Sequence, residues 1–231
     1  MTTHLPVLEG PKPASTLAMY RAMVGIGLLC GLFIVTVFVV TRPVIEENRA
    51  EALQAAIFEV LPAATTSRTF ALHGEELVLA EQPLPDGTPR VYAGYADDGA
   101  LVGVAVEAAG MGYADVIRIL YGYSPDQEAV VGLRVLESRE TPGLGDRIAK
   151  DPEFLANFEA LDASLAPGGA EVDHPIVTVK NGEKDDPWEI DGITGATISS
   201  VAIGDMLRES TGRWVPTLRS AEDTLEQGGG A

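Results

Sequence analysis

Between Arg21 and Arg42 the chain carries no charge: Ala22 to Thr41 is continuously apolar or small. A run of about 20 such residues is what a helix needs to cross a bilayer. It exceeds a usual signal-peptide core, and Thr41-Arg42-Pro43 offers no small-residue cleavage site, so a retained signal anchor is expected. From Val44 to Leu61 the pattern becomes amphipathic. Leu53, Ala56, Ile57, Val60 and Leu61 follow helical spacing, with Glu46, Glu47, Arg49, Glu51 and Gln54 opposite and Pro62 as the stop. Short β-like runs follow at Glu76–Ala80, Arg90–Tyr95, Leu101–Ala108, Val116–Tyr123 and Ala129–Leu136. Asp97-Asp98-Gly99 reads as a hairpin turn, and Val102, Val104 and Val106 share a face at period two. Asp151–Leu161 reads as a short helix with Phe154, Leu155, Phe158 and Leu161 on one side. Ile176–Lys180 reads as a strand, and Thr197–Arg208 as an amphipathic helix.

These elements predict an α+β chain: one N-terminal transmembrane helix, then a mainly antiparallel-sheet domain with flanking helices. The expected boundaries are a tail over 1–21, an anchor over 22–41, a stalk helix over 42–62, a folded domain over 63–215 and a disordered tail over 216–231. The hairpin-like spacing of the strands favours antiparallel pairing over βαβ units. The charge bracketing the apolar run is nearly balanced, Lys12 and Arg21 before it and Arg42 and Arg49 after it. The short leading tail favours a cytoplasmic N-terminus with the domain on the far side.

Composition narrows the chemistry. A formal net charge of −18 argues against a nucleic-acid partner, which needs a basic surface. The single cysteine, Cys30, excludes disulfides within the chain and cysteine-held metals, and His4, His73 and His174 lack ligand spacing. No metal ligand and no catalytic residue is assigned. Any redox chemistry must come from an organic cofactor. Tyr113, Tyr121, Tyr123, Trp188 and Trp214 read as core or rim rather than cofactor contacts.

Two segments carry candidate chemistry. In Asp191-Gly192-Ile193-Thr194-Gly195-Ala196-Thr197, Gly195 frees the backbone at a turn, and hydroxyls crowd the expected helix start at Thr194, Thr197, Ser199 and Ser200. A helix N-terminus has unpaired N–H groups and favours an anion such as phosphate; from the residues alone an ordinary Ser/Thr cap is the simpler reading. In Arg139-Glu140-Thr141-Pro142-Gly143-Leu144-Gly145-Asp146, Pro142-Gly143 suits a tight turn, and the glycines admit close approach of a flat ligand. Gly110-Met111-Gly112-Tyr113 is not a dinucleotide fingerprint, because the third glycine position falls on Asp115.

The Asp-x-x-Thr-Gly-Ala-Thr segment resembles the flavinylation motif of FMN-binding domains in two related respiratory complexes. These are the G subunit of the Rnf-type electron transport complex and the C subunit of the sodium-translocating NADH:quinone reductase. The resemblance implies FMN joined through a phosphoester to Thr197, with Asp191, Thr194, Gly195 and Ala196 around it. Glu140-Thr141-Pro142-Gly143-Leu144-Gly145 resembles the loop near the flavin in the Rnf-type G subunit, which implies contacts from Glu140, Thr141, Gly143, Leu144 and Gly145. Asp146-Arg147-Ile148 favours the Rnf-type family over the quinone-reductase one. Where that family commonly has a histidine, two residues before the glutamate, this chain has Ser138, so no histidine is given a role. An unassisted threonine hydroxyl is a poor nucleophile, and the resemblance implies a separate flavin transferase. It further implies a bacterial inner-membrane protein with a periplasmic FMN-binding domain, held beside the other membrane subunits of a complex that exchanges electrons between ferredoxin and NAD and translocates ions. A tethered sensor that binds FMN without redox work, and a hydrolase using Ser199 or Ser200, are the competing expectations.

Overall fold

In the computed structural model, which describes residues 15–74, 76–80, 84–85 and 87–229, the apolar run and the amphipathic stretch join into a single helix, α1 (Thr16–Val60). Pro43 lies inside it, so the expected anchor and stalk are continuous, and residues 16–21, expected as tail, open the helix. The rest of the expected leading tail, residues 1–14, lies outside the described residues. The helix is long and apolar enough to cross a membrane, which fits a single-pass anchor. The described residues divide between Ala50 and Glu51 into two compact units.

In the second unit a seven-stranded sheet runs β2-β1-β3-β4-β5-β6-β7, antiparallel throughout, as expected. Its strands are β1 (Thr66–His73), β2 (Glu76–Leu79), β3 (Arg90–Tyr95), β4 (Leu101–Met111), β5 (Val116–Ser124), β6 (Ala129–Glu137) and β7 (Leu161–Asp162). The turn at 97–99 forms as read: Gly99 has φ +82° and the Asp98 carboxylate accepts from Ala100 N–H at 3.0 Å. Val104 and Val106 lie in the main core, but Val102 packs on the opposite face. A register shift between Gly94 and Tyr95 breaks the alternation one residue short of it.

Each face of the sheet is covered. Ala56, Ile57 and Val60 of α1, followed by Leu61, pack on one face with Tyr92, Ala105 and Leu120, as the helical spacing predicts. They fit because that face is built from glycines. A Cβ on Gly122 or Gly132 would run into the Val60 backbone, and one on Gly94 or Gly103 into Leu61. The opposite face holds the larger core, closed by α3 (Thr197–Ser220) and α4 (Glu222–Gly228).

Two expectations are corrected here, the extent of the helix after Asp151 and the disordered tail, while the strand expected at Ile176–Lys180 forms over a shorter span. The Asp151–Leu161 helix stops early as α2 (Pro152–Ala156), because the Asn157 side chain donates to the Phe154 carbonyl at 2.9 Å and Leu161 enters β7. Ile176–Lys180 yields β8 (Val177–Val179), which pairs in parallel with β9 (Glu189–Asp191), so Asp191 ends a strand. Residues 216–228 are helical rather than a disordered tail, with Leu218 and Leu225 buried.

Candidate functional site

Three separate segments meet at one cleft of about 310 Å³. The β4–β5 turn brings Tyr113. The loop after β6 brings Glu140, Thr141, Leu144 and Gly145, and the start of α3 brings Gly195, Ala196, Thr197, Ile198 and Ser199. Gly195 turns the chain into α3 at φ +86°, a conformation L side chains rarely adopt. Tyr113, Leu144 and Ile198 are each more than half exposed, so the mouth of the cleft has an apolar edge left to solvent.

The helix start is not capped in the ordinary way. Ala196 occupies the cap position and its side chain makes no capping hydrogen bond. The crowded hydroxyls separate into distinct roles. Ser200 is fully buried; its Oγ accepts from Ile193 N–H at 3.1 Å and donates to the Ala196 carbonyl at 3.0 Å. Ser199 Oγ, also buried, donates to Glu140 Oε2 at 2.7 Å. Thr197 is exposed on the cleft wall.

Glu140 is buried, and Oε1 accepts from Ala114 N–H at 3.0 Å. Its carboxylate therefore joins the β4–β5 turn, its own loop and the first turn of α3. Gly112 and Gly145 make room: a Cβ on either would overlap the carboxylate. Arg147 braces the same walls, donating to the Thr194 carbonyl at 3.1 Å and pairing with Asp151 at 2.5 Å. That guanidinium holds the Asp151 carboxyl below its ordinary value. Lys150, 2.6 Å from Asp146, does the same for Asp146, whose Oδ1 accepts from Gly143 N–H at 2.6 Å and shapes the loop.

Seven of the ten expected site residues thus line one cleft: Glu140, Thr141, Leu144, Gly145, Gly195, Ala196 and Thr197. The other three support its walls. Asp191 Oδ1 accepts from Gly182 N–H at 2.6 Å, Thr194 offers its carbonyl to Arg147, and Gly143 holds φ +79° beneath Asp146. Sequence reasoning left Tyr113, Ile198 and Arg147 out of the site. Ile198 carried a usable signal: with Val201 it is apolar on the face of α3 that does not enter the core. The brace by Arg147 spans 47 positions and left no local trace.

The FMN-binding domain family matches residues 112–211. The chain is 31% identical over 193 residues to the G subunit of the ion-translocating oxidoreductase complex of Methanosarcina acetivorans, covering 81% of this chain and 88% of that protein. It is 30% identical over 169 residues to the G subunit of the Na(+)-translocating ferredoxin:NAD(+) oxidoreductase complex of Acetobacterium woodii, covering 71% and 74%. Its fold is similar to the crystal structure of the C subunit of the Na(+)-translocating NADH-quinone reductase from Parabacteroides distasonis, with TM-score 0.58 and 19% identity over 74% of this chain and 94% of that one. The last likeness is one of fold, whereas the first extends along most of both sequences, so the expected preference for the Rnf-type family is borne out. The chain belongs to the family formed by the G subunits of ion-translocating oxidoreductase complexes.

Proposed function

We propose that the cleft holds FMN joined by a phosphoester to Thr197, and that the protein is the electron-carrying subunit of a complex coupling electron transfer between ferredoxin and NAD to ion translocation. One observation carries the attachment site. At the start of α3, Ser199 and Ser200 are buried and engaged by internal hydrogen bonds, while Thr197 is exposed on the cleft wall. The surroundings fit the group. A first turn without a side-chain cap suits a phosphate, and the apolar edge of Tyr113, Leu144 and Ile198 suits a flat aromatic ring. When bound, FMN accepts one or two electrons and so can serve both one- and two-electron partners. The chain supplies tethering, orientation and a stable wall: Thr197 carries the link, and Arg147 and Glu140 hold the two loops against α3.

A threonine hydroxyl needs activation to react. Among the described residues no histidine lines the cleft beside Thr197, and in this reading a separate flavin transferase makes the bond. The Acetobacterium woodii relative, named for ferredoxin and NAD(+), supports the choice of redox partners and a place among the other membrane subunits. In this reading the N-terminus is cytoplasmic and the domain periplasmic, at a bacterial inner membrane. The ester suits that location, because a lost cofactor could not be replaced from a cytoplasmic pool.

The test is the mass of protein matured with a flavin transferase. One FMN moiety on the peptide containing Thr197, and none in Thr197→Ala, is the expected result. Unmodified mature protein that binds flavin reversibly would refute the link and favour the sensor.

A further inference from the structure

The cleft carries a charge that its ion pairs do not balance. Glu140 is 6% exposed and accepts two hydrogen bonds, from Ala114 N–H and the Ser199 hydroxyl. The cations nearest it in sequence are committed to other carboxylates: Arg139 to Asp115 at 3.2 Å, Arg134 to Glu59 at 3.2 Å, Arg147 to Asp151 and Lys150 to Asp146. Among the described residues Glu140 makes no ion pair of its own. Burying a lone carboxylate is costly unless hydrogen bonds and a favourable dipole offset it, and the N-terminal end of α3, reached through Ser199, provides that dipole.

We propose that Glu140 is a specificity-determining residue that opposes ionic retention of the flavin phosphate. This rests on the reading that the phosphate end lies at the start of α3. Two anions then share one helix terminus, and the fixed one repels the other across a partly buried space where screening is weak. The chain's net charge of −18 adds to that repulsion. Phosphate attraction alone therefore holds FMN poorly, and retention depends on the bond to Thr197, with the ring contributing apolar contact.

The test uses the full-length Thr197→Ala chain in detergent, titrated with FMN and with riboflavin, which lacks the phosphate, by flavin fluorescence. FMN is expected to bind no more than about threefold tighter than riboflavin. Adding Glu140→Gln is expected to tighten FMN on the order of tenfold while riboflavin stays within about twofold. Glu140→Asp, which keeps the charge, should not reproduce that gain. A Glu140→Gln effect that is absent, or equal for both flavins, overturns the proposal. So does a Thr197→Ala chain that prefers FMN over riboflavin by more than about tenfold, a result that needs no Glu140 variant to fold. The mass of the mature wild type separates the two readings. A bare Thr197 refutes the attachment, whereas FMN on Thr197 with an unresponsive Glu140→Gln refutes only the role of Glu140.

Discussion

Glycines beside the buried carboxylate show how single residues shape the cleft. Gly145 sits so close to Glu140 and to Ser199 Oγ that a Cβ there would overlap the first and stand 2.9 Å from the second. Gly145→Ala should cost about 1–3 kcal/mol through overpacking. Gly212, in the interior of α3, faces open space. There the same substitution should stabilise by roughly 0.5–1 kcal/mol, because alanine loses less backbone freedom in a helix. Urea denaturation of the two variants checks the contrast, and equal effects would contradict the tight packing around Glu140. Of the ten residues expected at the site, the sequence pointed to the right segments. It could not tell which would line the cleft, because Asp191 accepts from Gly182 in the preceding loop and Gly143 donates to Asp146 within its own.

Among the elements, those with a strong apolar period were legible and those made by pairing were not. The face of α1 that meets the sheet followed from spacing alone. In contrast, β1 begins Thr66-Ser67-Arg68-Thr69 and shows no alternation; it is a strand because β2 and β3 flank it on both sides. Likewise β9 is only three residues long and exists through its pairing with β8. The seating of α1 depends on the missing side chains of the sheet face. Gly122→Ala would drive a methyl into the Val60 carbonyl. It should destabilise the domain by about 1–3 kcal/mol and speed amide exchange first in the last turn of α1. Hydrogen exchange resolved by residue is the check, and unchanged protection of that turn would count against the glycine seat.

For the whole molecule, closure of the main core depends on the end of the chain. The Tyr95 hydroxyl, buried in the central sheet, donates to the Leu225 carbonyl at 2.6 Å, and Gly228 lies against the same ring. The polar, glycine-ending sequence after Trp214 hid this: Val215, Leu218 and Leu225 are spaced at helical intervals, but too sparsely among charged residues to stand out. Leu225→Ala should lower stability by about 2–5 kcal/mol, as for a buried leucine. Thermal unfolding measures it, and an effect within about 0.5 kcal/mol would mean the tail is not part of the core.

Composition and local pattern by themselves determined the apolar helix, the antiparallel hairpins, the exclusion of disulfides within the chain and two of the three segments that form the cleft. Each depends on periodicity, charge or turn chemistry written within a few neighbouring positions. The tertiary structure alone decided which hydroxyl at the start of α3 stays exposed on the cleft wall, that Glu140 is buried with no ion pair among the described residues, and that Arg147 braces the loop at Thr194. Those outcomes depend on contacts between segments dozens of residues apart, and no local pattern records which partner a side chain will meet once the sheet has closed.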